Sequence, residues 1–217
     1  MDNGQINKFM NILAIETSHP KASLCLTLGE DIAYSTHWQA ERNHDEHLFP
    51  ALRHAFDALG DNPLDFILIG AGPGSYGGVR VALAAAVGIA AVKGAKTVAI
   101  CSWLGLAPAD TAIISDARRG GWALMHANGN IEVLTEDELK QQLNNGLIAA
   151  TIETEDTMKR HGICVSAYGL QPTAENITRT WLSLSPAQQL QLQQTPPEPI
   201  YVRPPHITAA KRKPWEC

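Results

Sequence analysis

Two carboxylates stand where this chain could do chemistry. Glu16 ends an apolar run, residues 12–15, and is followed by Thr17 and Ser18; Asp116 follows a second apolar run, residues 112–114, and leads into Ala117, Arg118 and Arg119. A carboxylate at the end of a first strand, just before a hairpin, is placed to address a metal-bound phosphate. Two acidic strand ends in two similar halves suggest a cleft between duplicated units. Glu16, Thr17, Ser18 and Asp116 would then be a nucleotide site, retained or vestigial. Two ordinary strand-terminal turns would leave the same pattern.

The second feature is Gly72-Pro73-Gly74-Ser75-Tyr76-Gly77-Gly78-Val79-Arg80, set between the apolar run 66–69 and a segment of small residues. Its glycines let the backbone turn sharply and present bare N–H groups. Strand, glycine loop and helix start in that order make an anion cradle. No GxxxxGK[ST] is present, and Gly72, Gly74 and Gly77 match GxGxxG by spacing alone, with no acidic residue at the end of a following strand. The other reading is a tight strand-to-helix turn built for close packing.

The helix after the loop favours packing. Ala82, Ala85, Ala86, Gly88, Ala90 and Ala91 leave little side-chain bulk, and small residues let helix backbones approach closely. The expected partner surface is Gly74, Ser75, Tyr76, Arg80, Ala82, Leu83, Ala85 and Ala86, joined by Leu48, Leu52 and Phe56 of the preceding helix. A helix crowded inside its own domain would carry the same residues. Arg80 faces the positive end of the helix dipole, which predicts an acidic partner in its own chain or across an interface.

His44, Asp45, Glu46 and His47 raise the question of a metal. The spacing is His-x-x-His, whereas a zincin needs His-Glu-x-x-His. A solvated first turn of a helix is the plainer reading, and no metal or catalytic residue is expected. No Ser-His-Asp or Cys-His nucleophile arrangement stands out by spacing.

Composition narrows the class. The 217 residues are 45% hydrophobic and 18% charged, with a formal net charge of -5, which argues against a free-standing nucleic-acid binder. The exception is the basic cluster Lys211-Arg212-Lys213. The 4 cysteines form no CxxC pair. Cys25, Cys101 and Cys164 read as small core residues, so a reducing, cytoplasmic setting is expected. The N-terminal stretch is polar, without a signal-like apolar region, and the longest uncharged apolar run, residues 81–92, is too short to span a membrane.

The elements that position these residues read as strands at 12–15, 22–28 and 32–38, a helix through Leu48, Leu52, Phe56 and Leu59, a strand at 66–69, the small-residue helix 79–92 and a strand at 97–100. The order is βββαβαβ. A break with Gly105 and Pro108 divides the chain into lobes 1–106 and 107–217. In the second lobe, strands are expected at 112–114, 122–127, 131–134 and 163–165. Helices are expected after the capping box at Thr135, at 172–182 and at 186–194, before a proline-rich tail.

With these residues in view the chain resembles the TsaB family, also called YeaZ. Residues 12–18 with Ala22-Ser23-Leu24 resemble the family's opening, and residues 72–81 resemble its hallmark, close to GPGSFTGLRIG. His47 to Leu52 resembles its histidine-leucine-proline helix, Asp116 to Arg119 its DAR-R element, and Ile200 to Pro204 its closing tyrosine–arginine strand. The match is dense over residues 12–103 and sparse over 120–198; Gly77 replaces the usual threonine.

The resemblance implies an α/β fold of the actin, Hsp70 and sugar-kinase type (ASKHA), two RNase-H-like lobes with mixed sheets. It implies a non-catalytic partner of TsaD, acting with TsaE in threonylcarbamoylation of adenosine 37 of ANN-decoding tRNAs. The chain would hold no cofactor, would touch tRNA only through the complex, and alone would pair with itself by the same surface. The alternative is a metallopeptidase-like or nucleotide-hydrolysing enzyme. His44 and His47 do not reproduce the HxxxH pair of TsaD, which favours the first reading.

Overall fold

The structure, a computed structural model, describes residues 10–40 and 44–203, with only the backbone of His44 and Asp45. The polar start of the chain, Pro204, Lys211-Arg212-Lys213 and Cys217 lie outside the described residues.

The first sheet comprises β1 (Asn11–Glu16), β2 (Lys21–Leu28), β3 (Asp31–Gln39), β4 (Phe66–Gly70) and β5 (Lys96–Ile100), in the order β3-β2-β1-β4-β5. β1, β2 and β3 form an antiparallel meander, and β4 and β5 continue parallel to β1. The central strands β1 and β4 are covered on both faces, which is why they read as continuous apolar runs. β3 lies at the edge and alternates between exposed and half-buried residues.

Helices α1 (His44–Leu59) and α2 (Tyr76–Lys93) pack on one face of this sheet. Leu13, Ile15, Leu24, Ile67 and Ile69 of the sheet meet Leu48, Leu52 and Leu59 of α1 and Val79, Ala82, Leu83 and Ala86 of α2. Pro50 lies inside α1 on its exposed side. Ser75 caps α2 by accepting the Gly78 amide, and Gly94 closes it in the left-handed conformation.

The opposite face is covered from far along the chain. α5 (Ala174–Ser183) and α6 (Pro186–Gln194) return to the first sheet. Ala174, Ile177 and Trp181 fill a core with Ile12, Ala14, Cys25, Phe66 and Leu68. Glu175 holds α5 to the edge strand: Ser35 donates to its carboxylate, and His37 Nε2 lies 3.1 Å away. The assignment of everything after residue 107 to the second lobe is therefore corrected. The apolar face of α5 gives helical periodicity but not the sheet on which it packs.

The second sheet comprises β6 (Ala112–Asp116), β7 (Gly121–Met125), β8 (Ile131–Thr135) and β9 (Ala149–Thr151), in the order β8-β7-β6-β9. It repeats the first sheet's pattern: an antiparallel meander, helix α3 (Glu136–Asn144), a parallel strand and helix α4 (Glu155–Arg160). Where a fifth strand would follow, one bridge pairs Ala150 with Ala167. The strand expected at 163–165 does not form. Ile163 is buried in the second core, but Cys164 is exposed rather than a core residue. β9 was missed because Ala149-Ala150-Thr151 is too short and too small to stand out as an apolar run.

Candidate functional site

Glu16, Thr17 and Ser18 leave the end of β1 and enter the interior. All three are buried. Glu16 Oε1 accepts the Ser18 amide at 2.6 Å. Its Oε2 has no well-formed hydrogen bond and lies against Gly70 of the neighbouring strand and near the Ser102 hydroxyl. Burial pushes the Glu16 carboxyl above its ordinary value, and the Ser102 and Ser18 contacts only partly oppose this. The group lies within the first lobe, turned away from solvent.

Thr17 and Ser18 pin the glycine loop. The Thr17 hydroxyl donates to the Gly78 carbonyl at 2.8 Å, and the Ser75 amide donates to the Ser18 carbonyl at 2.6 Å. Gly74 is required by this contact: a Cβ there would collide with Ser18. The loop is also tied to β5, since Ser102 Oγ accepts the Gly72 amide at 3.0 Å and the Ser102 amide donates to the Gly72 carbonyl at 2.8 Å. Gly70 and Ser102 were missed in the sequence, because nothing local marks either as a neighbour of Glu16.

Asp116, the second acidic strand end, stands apart from Glu16 in character. It is exposed, accepts the Arg118 amide at 2.7 Å and donates its own amide to Glu153. Glu153 lies after β9, where its charge reaches His19 of the first lobe. Burial lowers the affinity of the His19 imidazole for a proton, Glu153 opposes this, and Lys21 adds to it. The facing ends of the two sheets thus carry charged groups, but no three His, Cys, Asp or Glu side chains among the described residues converge as a metal site. A shallow cavity of about 490 Å³, lined by Asp110, His126, Asn128 and Asn130, opens at the other end of β6 from Asp116.

The segment after α6 crosses from one lobe to the other as extended chain; it is not the closing strand that the resemblance implied. The Ile200 amide donates to the Ala71 carbonyl at 2.8 Å, Tyr201 stacks on Tyr76, Val202 packs with the second sheet, and the Arg203 guanidinium lies against Gly121.

The residues expected to meet a partner divide between the core and the surface. Leu48, Leu52, Ala82, Leu83 and Ala86 are buried in the chain's own core, with Phe56 and Ala85 packed at its edge. The sheet had first claim on the apolar side of both helices. Gly74, Ser75, Tyr76 and Arg80 are exposed. On α2 the exposed side continues through Ala84, Val87, Gly88, Ala91 and Val92. The spacing 84, 87, 88 and 91 is itself a helical face, legible in the sequence once the inner face is known. Arg80 has no acidic partner among the described residues; its Nη1 donates to the Tyr76 hydroxyl at 3.1 Å and its guanidinium lies 5.1 Å from the Tyr76 ring centre. By length and composition α2 is apolar enough to cross a membrane, yet its inner side is built into the sheet core.

Comparisons with known proteins agree with this architecture. The profile of the TsaD family, tRNA N6-adenosine threonylcarbamoyltransferase, matches residues 38–149. A crystal structure of an uncharacterized protein with similarity to peptidase YeaZ from Pseudomonas aeruginosa superposes with a TM-score of 0.67 at 21% identity, covering 90% of this chain and 100% of that one. YeaZ from Pseudomonas aeruginosa superposes with a TM-score of 0.60 at 21% identity, covering 78% of this chain and 89% of that one. The curated proteins gave no match. The two structures share the mixed two-sheet α/β fold of the ASKHA type. With the family profile spanning more than half of its 217 residues, the chain belongs to the TsaD family, as a member with the YeaZ fold.

Proposed function

We propose that this chain is the non-catalytic partner of a TsaD-type subunit, acting with TsaE in threonylcarbamoylation of adenosine 37 of ANN-decoding tRNAs in the cytoplasm. The observation that carries the reading is the outer face of α2. Ala84, Val87, Gly88 and Ala91 form an exposed stripe with no charged residue between Arg80 and Lys93. Water gains nothing from such a face, and a partner helix can approach it closely because its side chains are small. Phe49, 61% exposed on α1, extends the apolar surface. The burial of Glu16 supports a non-catalytic role, since a carboxyl enclosed against Gly70 and Ser102 does not reach a phosphate in solvent.

Co-expression with a TsaD subunit and with TsaE tests the reading. A stable complex with TsaD is expected, lost or weakened roughly ten- to a hundredfold when Ala84 or Ala91 is replaced by Trp, as expected of a bulky group forced into a packed contact. Failure of the wild-type chain to bind TsaD overturns it, as does threonylcarbamoylation by TsaD and TsaE at full rate without this chain.

A further inference from the structure

The chain crosses between the lobes in the linker before Ala112, in the return to α5 and in the extended segment after α6. The first two crossings are built into the cores. Leu104 of the linker packs with both lobes. The return leaves beside β9, where the Leu170 amide donates to the Thr151 carbonyl at 3.0 Å, and joins the first sheet where the Ala174 amide donates to Ser23 Oγ at 2.8 Å. The segment after α6 lands elsewhere, on β7. That strand runs antiparallel to β6, so Gly121 lies at the end of the sheet away from Ala112. In the order β8-β7-β6-β9, the return and this segment hold opposite sides of β6.

The third crossing is also lightly seated. Tyr201 is exposed, and Ile200, Val202 and Arg203 are half-buried. On the first lobe the Ile200 amide donates to the Ala71 carbonyl at 2.8 Å, and Tyr201 stacks on Tyr76 with ring centres 4.9 Å apart and an interplanar angle of 27°. On the second lobe Val202 packs at the edge of the core, and the Arg203 guanidinium fills the space a side chain at Gly121 would take. An element with few buried contacts opens at less than the cost of global unfolding. Pro196, Pro197 and Pro199 precede it. They fix φ, offer no N–H and keep the arm extended and stiff, so a released segment stays near its seat.

We propose that residues 200–203 form a releasable clasp that couples the loop before α2 to the β7–β8 side of the second lobe. Closed, the clasp holds that side against the first lobe through Tyr76. Open, it leaves the β7–β8 side tethered through β6 alone to the other crossings. The two stacked rings are 45% and 41% exposed, so anything that covers both favours the closed state by mass action. The inference goes beyond the partner reading and does not depend on it.

Hydrogen exchange of the full chain alone, followed by mass spectrometry, tests the clasp. In the wild-type protein the Ile200 amide should exchange faster than the amides of β1 and β4. Each variant is then read on the lobe against which its side chain does not pack. Tyr201→Ala should speed exchange in β7 and β8 about two- to tenfold, as expected for loss of one aromatic pair, while Tyr201→Phe keeps the wild-type rates. Arg203→Ala should speed exchange across residues 71–76 by a similar factor. The amides of β1 and β4 should keep their wild-type rates in every variant, which also shows that the fold is intact. Changes confined to the lobe that lost the contact, or no change, overturn the proposal. So does a uniform rise that includes β1 and β4, which would make the segment a contributor to global stability only. An Ile200 amide as slow as those of β1 would overturn its release.

Discussion

The carboxyl group of Glu16 occupies the space that a side chain at position 70 would fill. A Cβ added to Gly70 would collide with Glu16 Oε2 and crowd Ser102 Oγ, at 2.9 Å. The two residues sit at matching ends of the paired parallel strands β1 and β4. Gly70→Ala is therefore expected to destabilise the protein by about 1–3 kcal/mol, the usual cost of overpacking. The cost should shrink in a Glu16→Ala background, because the colliding group is gone. Urea denaturation of the two single variants and the double variant measures the coupling; equal costs in both backgrounds would show that the contact does not matter.

The same burial gives Glu16 a pH signature. Its folded affinity for a proton is raised above the ordinary value of 4.5, chiefly by burial. The folded protein therefore binds this proton more tightly than the unfolded chain. Stability falls as pH rises from about 4.5 through the raised folded value, then levels off. Glu16→Gln keeps an oxygen acceptor for the Ser18 amide and has no charge to bury. Its stability relative to wild type should increase with pH over that window. Thermal unfolding of both proteins between pH 4 and pH 8 reads the difference, and parallel curves would refute the assignment.

The strands that form the frame were legible because they are buried on both sides and bounded by turns. β1 and β4 appear in the sequence as apolar runs, and the meander is marked by Gly29 between β2 and β3. The side of α2 that the sheet takes was misread for a physical reason. An alanine-rich helix such as α2 has small residues all round, so periodicity alone does not say which side the sheet takes. The position of Glu16 above Gly70, the stacking of Tyr201 on Tyr76 and the return of α5 to β1 join residues 54 to more than 100 positions apart. No local pattern contains such contacts.

The return of α5 makes the first lobe depend on the end of the chain. Trp181 is fully buried and packs on Phe66 with ring centres 5.2 Å apart. Trp181→Ala should cost about 3–5 kcal/mol. A fragment ending at residue 106 would leave Ile12, Ala14, Phe66 and Leu68 uncovered, and it should fail to fold alone. Circular dichroism and dye binding to exposed apolar surface would check this. A monomeric, cooperatively folded fragment of residues 1–106 would show that α5 and α6 are dispensable.

Ala82 and Ala84 lie two positions apart on α2 and should respond oppositely to the same substitution. Ala82 is fully buried between the helix and the sheet. A tryptophan there has no room, and Ala82→Trp should unfold the protein or cost more than about 3 kcal/mol. Ala84 is on the outer face, where a tryptophan meets only solvent in the monomer. Ala84→Trp should leave the fold and the urea midpoint close to wild type while disrupting association. If the chain pairs with itself through this face, light scattering should show a dimer for wild type and a monomer for Ala84→Trp, with TsaD binding weakened in parallel. A folded Ala82→Trp variant would mean that α2 is not seated on the sheet as described. An Ala84→Trp variant with undiminished association would place the interface elsewhere.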